Sequence, residues 1–293
     1  MFGSGSTIGP CRFGYREPMR PILDDTSPDG LRAAIVADLI ASRIGNMDVP
    51  LLGKREPDVA WALPGAPSDV RGVVAWAAFE PATVERRLDE ILAAVDARRA
   101  SVLWWYSPDQ RPEDLRERVL RRGFEHVDDT SAMAMDLASL PDSVPPPVET
   151  QIKAVDDPPA IDAYVRVIIR SMEIDHWPMP PDAVRIRTDY IRSRLGDDPL
   201  SRRFVAFLEG EPVATSRLSM AGGVAGLYTM VTLPHAQRRG IGLAMAHRAL
   251  LAGRKAGMRI AVLQATDMGY PLYVRLGFEE LFRYETLARP AVH

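Results

Sequence analysis

Several features that would point to a particular class of protein are scarce or absent in this sequence. There is one cysteine, Cys11, so no intrachain disulfide can form, and a reducing, cytoplasmic setting is the expectation. No apolar run reaches the roughly 18 residues that a membrane helix requires, and residues 1–18 lack the apolar core of a signal peptide. The net charge is −3, without the basic bias that binding to nucleic acid usually brings. We therefore expect neither a membrane nor a nucleic acid as partner.

Metal-binding patterns are absent as well. A single cysteine cannot supply the cysteine pair of a zinc site, and the five histidines do not have the spacing of zinc ligands. His235 and His247, for example, are far apart along the chain. Ligands of structural zinc usually lie within a few residues of each other. We therefore expect no metal cofactor.

What is present is the composition of a globular protein that is long enough for two domains. Hydrophobic residues make up 46% and charged residues 26% of the 293 residues, and a domain averages roughly 150 residues. The proline-rich stretch at 141–147 favours an extended connector, because proline cannot donate helix or ladder hydrogen bonds. The predicted layout is a flexible tail at 1–20, a first domain at 21–140, a linker at 141–150 and a second domain at 151–293.

Both halves combine helical and strand patterns, which indicates an α/β (mixed α+β) fold. In the first half, predicted helices cover 31–44, 83–99 and 111–122, and predicted strands cover 70–79, 101–106 and 133–137. In the second half, predicted helices cover 161–172, 242–256 and 270–276 and include 190–195, and predicted strands cover 203–208, 213–220, 226–233, 259–264 and 283–287. A hairpin turn is predicted at 209–212, because Gly210 permits a positive φ.

One local pattern occurs in both halves. A helix, an apolar strand and a second helix are followed by Arg-Arg-Gly-Phe at 121–124 in the first half and by Arg-Leu-Gly-Phe at 275–278 in the second. This parallel favours an internal duplication of one α/β unit. The alternative is a pair of unrelated α/β domains.

The segment that most clearly indicates chemistry leads from a predicted strand, through a short loop, into the helix at 242–256. The loop consists of Gln237, Arg238, Arg239, Gly240, Ile241 and Gly242. A helix N-terminus has unpaired backbone N–H groups and a partial positive charge, and glycines let a phosphate approach the backbone. The loop has neither the Gly-Lys-Ser/Thr end of a nucleoside-triphosphate loop nor the Gly-x-Gly-x-x-Gly of a dinucleotide site. It suits a pyrophosphate, the alternative being a glycine turn with two solvated arginines.

The same residues carry a family resemblance. The loop resembles the Gln/Arg-x-x-Gly-x-Gly/Ala signature of the GNAT acetyltransferases, residues 231–234 resemble the strand and proline that precede it, and residues 273–278 resemble the family's Tyr-x-x-x-Gly-Phe. The resemblance implies two tandem GNAT-like domains, each a central mixed sheet flanked by helices, with acetyl-CoA as cosubstrate. The first copy is degenerate, since residues 79–82 lack the signature. Glu80 would repel a phosphate, and we expect the first half to bind no cofactor.

The resemblance also implies which residues bind the cofactor. The strand before the loop is expected to diverge from its neighbour and to pair with the pantetheine arm through Met230, Val231 and Thr232. The pyrophosphate is expected on the loop, which Leu243 continues, with Ala244 close by. Thr266 occupies the place where the family often has a CoA-contacting asparagine.

Two tyrosines are candidates for the acid that protonates the leaving thiolate of CoA. The family has a tyrosine at the place of Tyr273, and Tyr270 lies one helical turn earlier. The alternative role for Tyr273 is that of a core aromatic on a short helix.

The base that would deprotonate the amine is not assigned. Tyr228 and Thr229 lie on the strand before the loop, but neither is an obvious base. Glu173, Asp175 and His176 follow the first helix of the second half, where the family often forms a wall of the acceptor site. The alternative is a solvated loop.

The sequence thus predicts an N-acetyltransferase that moves an acetyl group from acetyl-CoA to a primary amine of a small molecule, as a monomer or a homodimer. The mechanism expected is direct attack of the amine on the thioester. The tandem layout also resembles mycothiol synthase, so acetylation of a cysteinyl conjugate is the nearest alternative. An alternative of another class is a non-enzymatic CoA-sensing or scaffold protein.

Overall fold

The computed structural model describes residues 21–44, 51–64, 71–174, 181–194 and 198–291. Within these ranges the chain forms seven α-helices and eleven β-strands. Those of the first half are α1 (Pro28–Ile44), β1 (Leu51–Arg55), β2 (Val59–Pro64), β3 (Gly72–Ala77), α2 (Val84–Asp96), β4 (Val102–Tyr106), α3 (Leu115–Leu120) and β5 (Glu125–Asp136). Those of the second half are β6 (Thr150–Ala154), α4 (Pro158–Ile174), α5 (Pro181–Arg192), β7 (Ser201–Leu208), β8 (Glu211–Ser219), β9 (Ala225–Thr232), α6 (Ile241–Lys255), β10 (Ile260–Ala265), α7 (Tyr270–Leu276) and β11 (Glu279–Arg289).

Most predicted elements are present near their predicted positions. Helix α7 has the predicted bounds, and the hairpin between β7 and β8 turns at Glu209 and Gly210, whose φ angles are 53° and 86°. The helix predicted at 111–122 is shorter, because the backbone of Arg111 is hydrogen-bonded to the end of β3 instead. Strands β1, β2 and β6 have no counterpart among the predicted strands.

The strands of both halves form one mixed sheet in the order β1-β2-β3-β4-β11-β5-β10-β9-β8-β7-β6. Each half places its last strand in the other half's part of the sheet. Strand β11 pairs with β4, strand β5 pairs with β10, and β5 and β11 pair antiparallel with each other at the centre. The mixed α/β fold is therefore confirmed, and its two central sheets are continuous.

The order of elements repeats along the chain. The series β1, β2, β3, α2, β4, α3, β5 corresponds to β7, β8, β9, α6, β10, α7, β11. The third and fourth strands of each series pair in parallel, as β3 with β4 and β9 with β10, whereas the other strand pairs are antiparallel. This repetition agrees with the duplication that the sequence favours.

Helices cover both faces of the sheet. On one face α6 packs on β7, β8 and β9 around Met245 and Leu250. On the opposite face α4 packs on β7 and β8, and α1 lies across the junction of the two halves. The α1 residue Ile35 shares an apolar cluster with Val73 of β3 and Val262 of β10. Helix α1 of the first half is thus part of the core of the second.

Candidate cofactor and acyl-transfer site

Strands β9 and β10 diverge where the pantetheine arm is expected. Their parallel pairing is limited to Ala225 opposite Ala261 and Gly226 opposite Val262, although β9 continues to Thr232. A bulge accompanies the divergence: Thr229 has a φ of 50°, and the register of β8 with β9 shifts at this point. The half-buried residues Met230, Val231 and Thr232 follow the bulge. Val231 and Thr232 pair with β8, whereas none of the three residues pairs with β10.

The glycine loop leads from β9 into α6 with an unusual backbone. Arg238 and Gly240 have φ angles of 64° and 82°, and Gly240 is the N-cap of α6. From residue 238 onward, the first backbone N–H with an acceptor among the described residues is that of Ala244, which donates to the Gly240 carbonyl at 3.1 Å. The N–H groups from Arg238 to Leu243 are therefore available to an anion, which the positive end of the helix also favours.

Neighbouring side chains keep this loop in place beside β9. Gln237 Nε2 donates to the Thr232 carbonyl at 2.9 Å. A Cβ atom added at Gly242 would lie 3.2 Å from Leu272 Cδ1 and 3.7 Å from Thr232 Oγ1. The loop, the end of β9 and α7 thus meet at Gly242, and a side chain larger than hydrogen would fill the space between them.

Helix α7 positions Tyr273 against the core. Gly277 ends the helix with a φ of 101°, and the Phe278 N–H donates to the Tyr273 carbonyl at 3.0 Å. The Tyr273 ring is buried and stacks edge-on against Phe278, with 5.8 Å between ring centroids. Burial raises the pKa of Tyr273, so its hydroxyl holds its proton at neutral pH. Tyr273 belongs to the large apolar core of the second half, against which the partly buried side chains of Met230 and Leu243 also pack.

The two lesser candidates lie at the start of α7. Tyr270 is half-buried and packs against the same apolar cluster. Thr266 is exposed, and its carbonyl accepts hydrogen bonds from the N–H groups of Gly269 and Tyr270, each at 2.9 Å. Thr266 therefore lies between the last residue of β10 and the turn into α7, at the mouth of the divergence between β9 and β10.

Of the residues considered as bases, the structure describes Tyr228, Thr229 and Glu173. Tyr228 is buried on the α1 face, where burial and the nearby Asp38 carboxylate raise its pKa well above the usual range. The Thr229 carbonyl accepts from Thr215 Oγ1 at 3.0 Å. Glu173 is exposed near the end of α4. Asp175 and His176 lie outside the described residues.

The corresponding place in the first half is filled by the chain itself. Strands β3 and β4 also pair only at their starts, but the Arg111 N–H donates to the Ala77 carbonyl at 3.3 Å and the Arg111 carbonyl accepts from the Phe79 N–H at 3.0 Å. The backbone that would pair with a pantetheine arm in this half is therefore already paired. Glu80 is exposed just before α2, which adds a negative charge where a phosphate would lie.

Two kinds of feature are absent from the described residues. No three His, Cys, Asp or Glu side chains converge there as metal ligands. None of the helices in the described ranges has both the length and the hydropathy of a membrane span.

Comparisons with known proteins agree with this geometry. Residues 165–278 match the model of the acetyltransferase (GNAT) family, within the predicted second domain, and this part of the chain is a GNAT domain. That match supports acyl-CoA-dependent acetyl transfer in general. A search of curated proteins gave no match.

Solved structures resemble the whole chain. A GCN5-related N-acetyltransferase from Kribbella flavida is 21% identical with a TM-score of 0.63, over 90% of this chain and 96% of its own. A tandem GNAT protein from the clavulanic acid biosynthesis pathway is 16% identical with a TM-score of 0.57, over 94% and 98%. A GCN5-related N-acetyltransferase from Sphaerobacter thermophilus is 18% identical with a TM-score of 0.57, over 80% and 78%. At these identities the comparisons bear on the fold alone. The structural similarity confirms the tandem GNAT-like architecture.

Proposed function

We propose that the second half transfers an acetyl group from acetyl-CoA to a primary amine of a small molecule. The observation that carries the proposal is the position of the divergence beside the glycine loop. The unpaired edge of β9 at Met230, Val231 and Thr232 supplies a template for the pantetheine arm. The free N–H groups at the start of α6 supply a site for the diphosphate.

Charge and shape at the loop favour the same ligand. Arg238 and Arg239 are exposed beside the helix start and add positive charge to that of the helix N-terminus. Gln237 holds the loop to β9, so the two parts of the site keep their spacing. We assign cofactor binding to these residues and to residues 240–244, with Thr266 at the mouth.

The chemistry requires one base and one acid. An alkylamine is protonated at pH 7, and removing its proton costs roughly 4–5 kcal/mol. The neutral amine attacks the thioester carbonyl, a C–N bond forms as the C–S bond breaks, the nitrogen releases a proton, and the departing sulfur takes one. We assign that proton to Tyr273, since burial keeps its hydroxyl protonated, with Tyr270 as the substitute. The base stays unassigned.

One cofactor per chain follows from the difference between the halves. The backbone of Arg111 occupies the place of a pantetheine arm in the first half, and Glu80 opposes a phosphate there. This difference also favours an enzyme over a scaffold that binds CoA through both halves. A cysteinyl conjugate, as in mycothiol synthase, stays an alternative acceptor. As a separate point, the presence of a single cysteine, Cys11, supports the proposal of a cytoplasmic location.

Calorimetry with acetyl-CoA and a thiol-release assay over a panel of amines test the proposal together. We expect one acetyl-CoA site per chain and release of free CoA that depends on an amine. Two equivalent sites per chain would contradict the assignment to the second half. Binding without thiol release for any amine in the panel would favour the CoA-sensing alternative.

A further inference from the structure

A buried hydrogen bond joins the first half to the cofactor strand. Tyr228 Oη, on β9, donates to Asp38 Oδ2, on α1, at 2.5 Å, and both side chains are buried. Two glycines make room for this contact. A Cβ added at Gly226 would lie 2.0 Å from Asp38 Oδ2, and one added at Gly222 would lie 2.7 Å from Asp38 Cβ. The sequence thus keeps the space that α1 needs to reach β9.

A second hydrogen bond joins α1 to β8, the strand next to β9. Arg217 lies opposite Tyr228 in the pairing of β8 with β9, its guanidinium is 5.0 Å from the centre of the Tyr228 ring, and its Nη2 donates to Ser42 Oγ at 2.7 Å. Ser42 is four residues after Asp38 and therefore lies on the same face of α1. One cross-strand pair of the second half thus holds two successive turns of a first-half helix.

The position of Tyr228 gives these bonds a consequence for the site. It directly precedes Thr229, whose left-handed φ of 50° is unfavourable for a β-branched residue and persists only where surrounding structure holds it. Thr215 Oγ1 fixes the carbonyl of Thr229, and the Asp38 bond fixes the residue before it. The unpaired edge at residues 230–232 begins immediately after this bulge.

We infer that Asp38 is a positioning residue, through which α1 of the first half holds the bulge of β9 and hence the edge that receives the cofactor. The first half then takes part in the site without binding a cofactor of its own. The part of this inference that concerns acetyl-CoA rests on the proposed function. The coupling of α1 to the bulge does not.

The test compares full-length variants by amide hydrogen exchange without ligand and by calorimetry with acetyl-CoA. Tyr228→Phe removes the bond. Asp38→Asn preserves an acceptor oxygen for the Tyr228 hydroxyl, so this variant should behave nearly like the unaltered protein. Ile35→Ala is the matched control, because Ile35 is a fully buried residue of the same helix and its truncation lowers stability while leaving the bond in place. The double variant Asp38→Ala with Tyr228→Phe removes both polar partners and leaves neither buried and unpaired.

We expect Tyr228→Phe to lower the exchange protection of residues 229–232 and to weaken acetyl-CoA binding, each by about tenfold, within the roughly 5- to 150-fold range typical of coupled sites. Ile35→Ala should lower the melting temperature without either effect. Unchanged protection in Tyr228→Phe, or an equal loss in Ile35→Ala, would overturn the inference. Where Tyr228→Phe does not fold, the double variant decides by the same criteria. If Tyr228→Phe lowers the protection of residues 229–232 but the unaltered protein does not bind acetyl-CoA, the proposed function is rejected and the positioning role stays intact.

Discussion

Replacing Tyr273 by phenylalanine isolates the hydroxyl that the proposed mechanism uses. The ring of Tyr273 packs edge-on against Phe278, and phenylalanine retains that contact. Among the described residues the Tyr273 hydroxyl has no hydrogen-bond partner, so its removal breaks no hydrogen bond between those residues. We therefore expect the free energy of unfolding to change by less than about 1 kcal/mol.

The effect on the rate should be much larger than the effect on stability. A general acid typically contributes about 10²- to 10⁴-fold, which corresponds to about 3–5 kcal/mol of transition-state stabilisation. The loss should fall on kcat, because the sulfur acquires charge only as the C–S bond breaks. Affinity for acetyl-CoA should stay the same, since the loop at 237–243 and the edge at 230–232 are unchanged.

The assay follows free thiol at saturating acetyl-CoA with an amine found in the panel, or slow acetyl-CoA hydrolysis where that is measurable. Tyr270→Phe is the matched control, because it removes the same atom one helical turn away. A loss of tenfold or less in Tyr273→Phe would refute the acid role, since a thiol of pKa near 8.5 can leave without help. Normal turnover in Tyr273→Phe with a strong loss in Tyr270→Phe would transfer the role to Tyr270.

Three further results are expected. Gly240→Glu should weaken acetyl-CoA binding by at least about 100-fold in calorimetry, since like charges 4 Å apart repel by roughly 4 kcal/mol at an effective dielectric constant of 20. Gly123→Glu is the matched control, because Gly123 has nearly the same φ, 84° against 82° for Gly240, and open space around its Cβ. It should share the backbone strain but bind acetyl-CoA normally. Gly226→Ala should destabilise the fold by about 1–3 kcal/mol in chemical denaturation, because its Cβ would lie 2.0 Å from Asp38 Oδ2; an unchanged midpoint would contradict the close packing. Burial raises the pKa of Tyr273, so loss of its proton should not lower kcat as the pH rises to about 10, the ordinary tyrosine pKa. A fall of kcat with rising pH that begins below about pH 9 and disappears in Tyr273→Phe would show that the hydroxyl titrates there, and would contradict the raised pKa.

Local signals explain which parts of the fold could be predicted. Helix α7 is fixed by a proline at its second position and a glycine after its end, and the β7–β8 hairpin is fixed by Gly210. The glycine loop could be found for the same reason, since all its groups are contiguous in the chain. Strand β1, in contrast, contains Gly53 and two charged residues at an edge of the sheet, so no apolar pattern indicated it.

Contacts between distant segments could not be predicted. Tyr228 and Asp38 are 190 residues apart, and each alone is an ordinary residue of a strand or a helix. In the first half, the place that corresponds to the pantetheine arm is occupied by the backbone of Arg111. Backbone hydrogen bonds of this kind have no residue-specific sequence signature. From the charge of Glu80, the sequence predicted that the first half binds no cofactor. The geometry adds a steric reason, since the backbone of Arg111 occupies the corresponding place.

The exchange of the last strands changes what the predicted linker can mean. The linker at 141–150 stays a prediction, and these residues do follow β5 along the chain. But β5 lies between β10 and β11, so residues 151–293 alone would leave those two strands with unpaired edges. They would also lose α1 and with it the bonds to Tyr228 and Arg217. Because β10 forms one side of the divergence that would hold the pantetheine arm, the halves are successive in sequence but interdependent at the site.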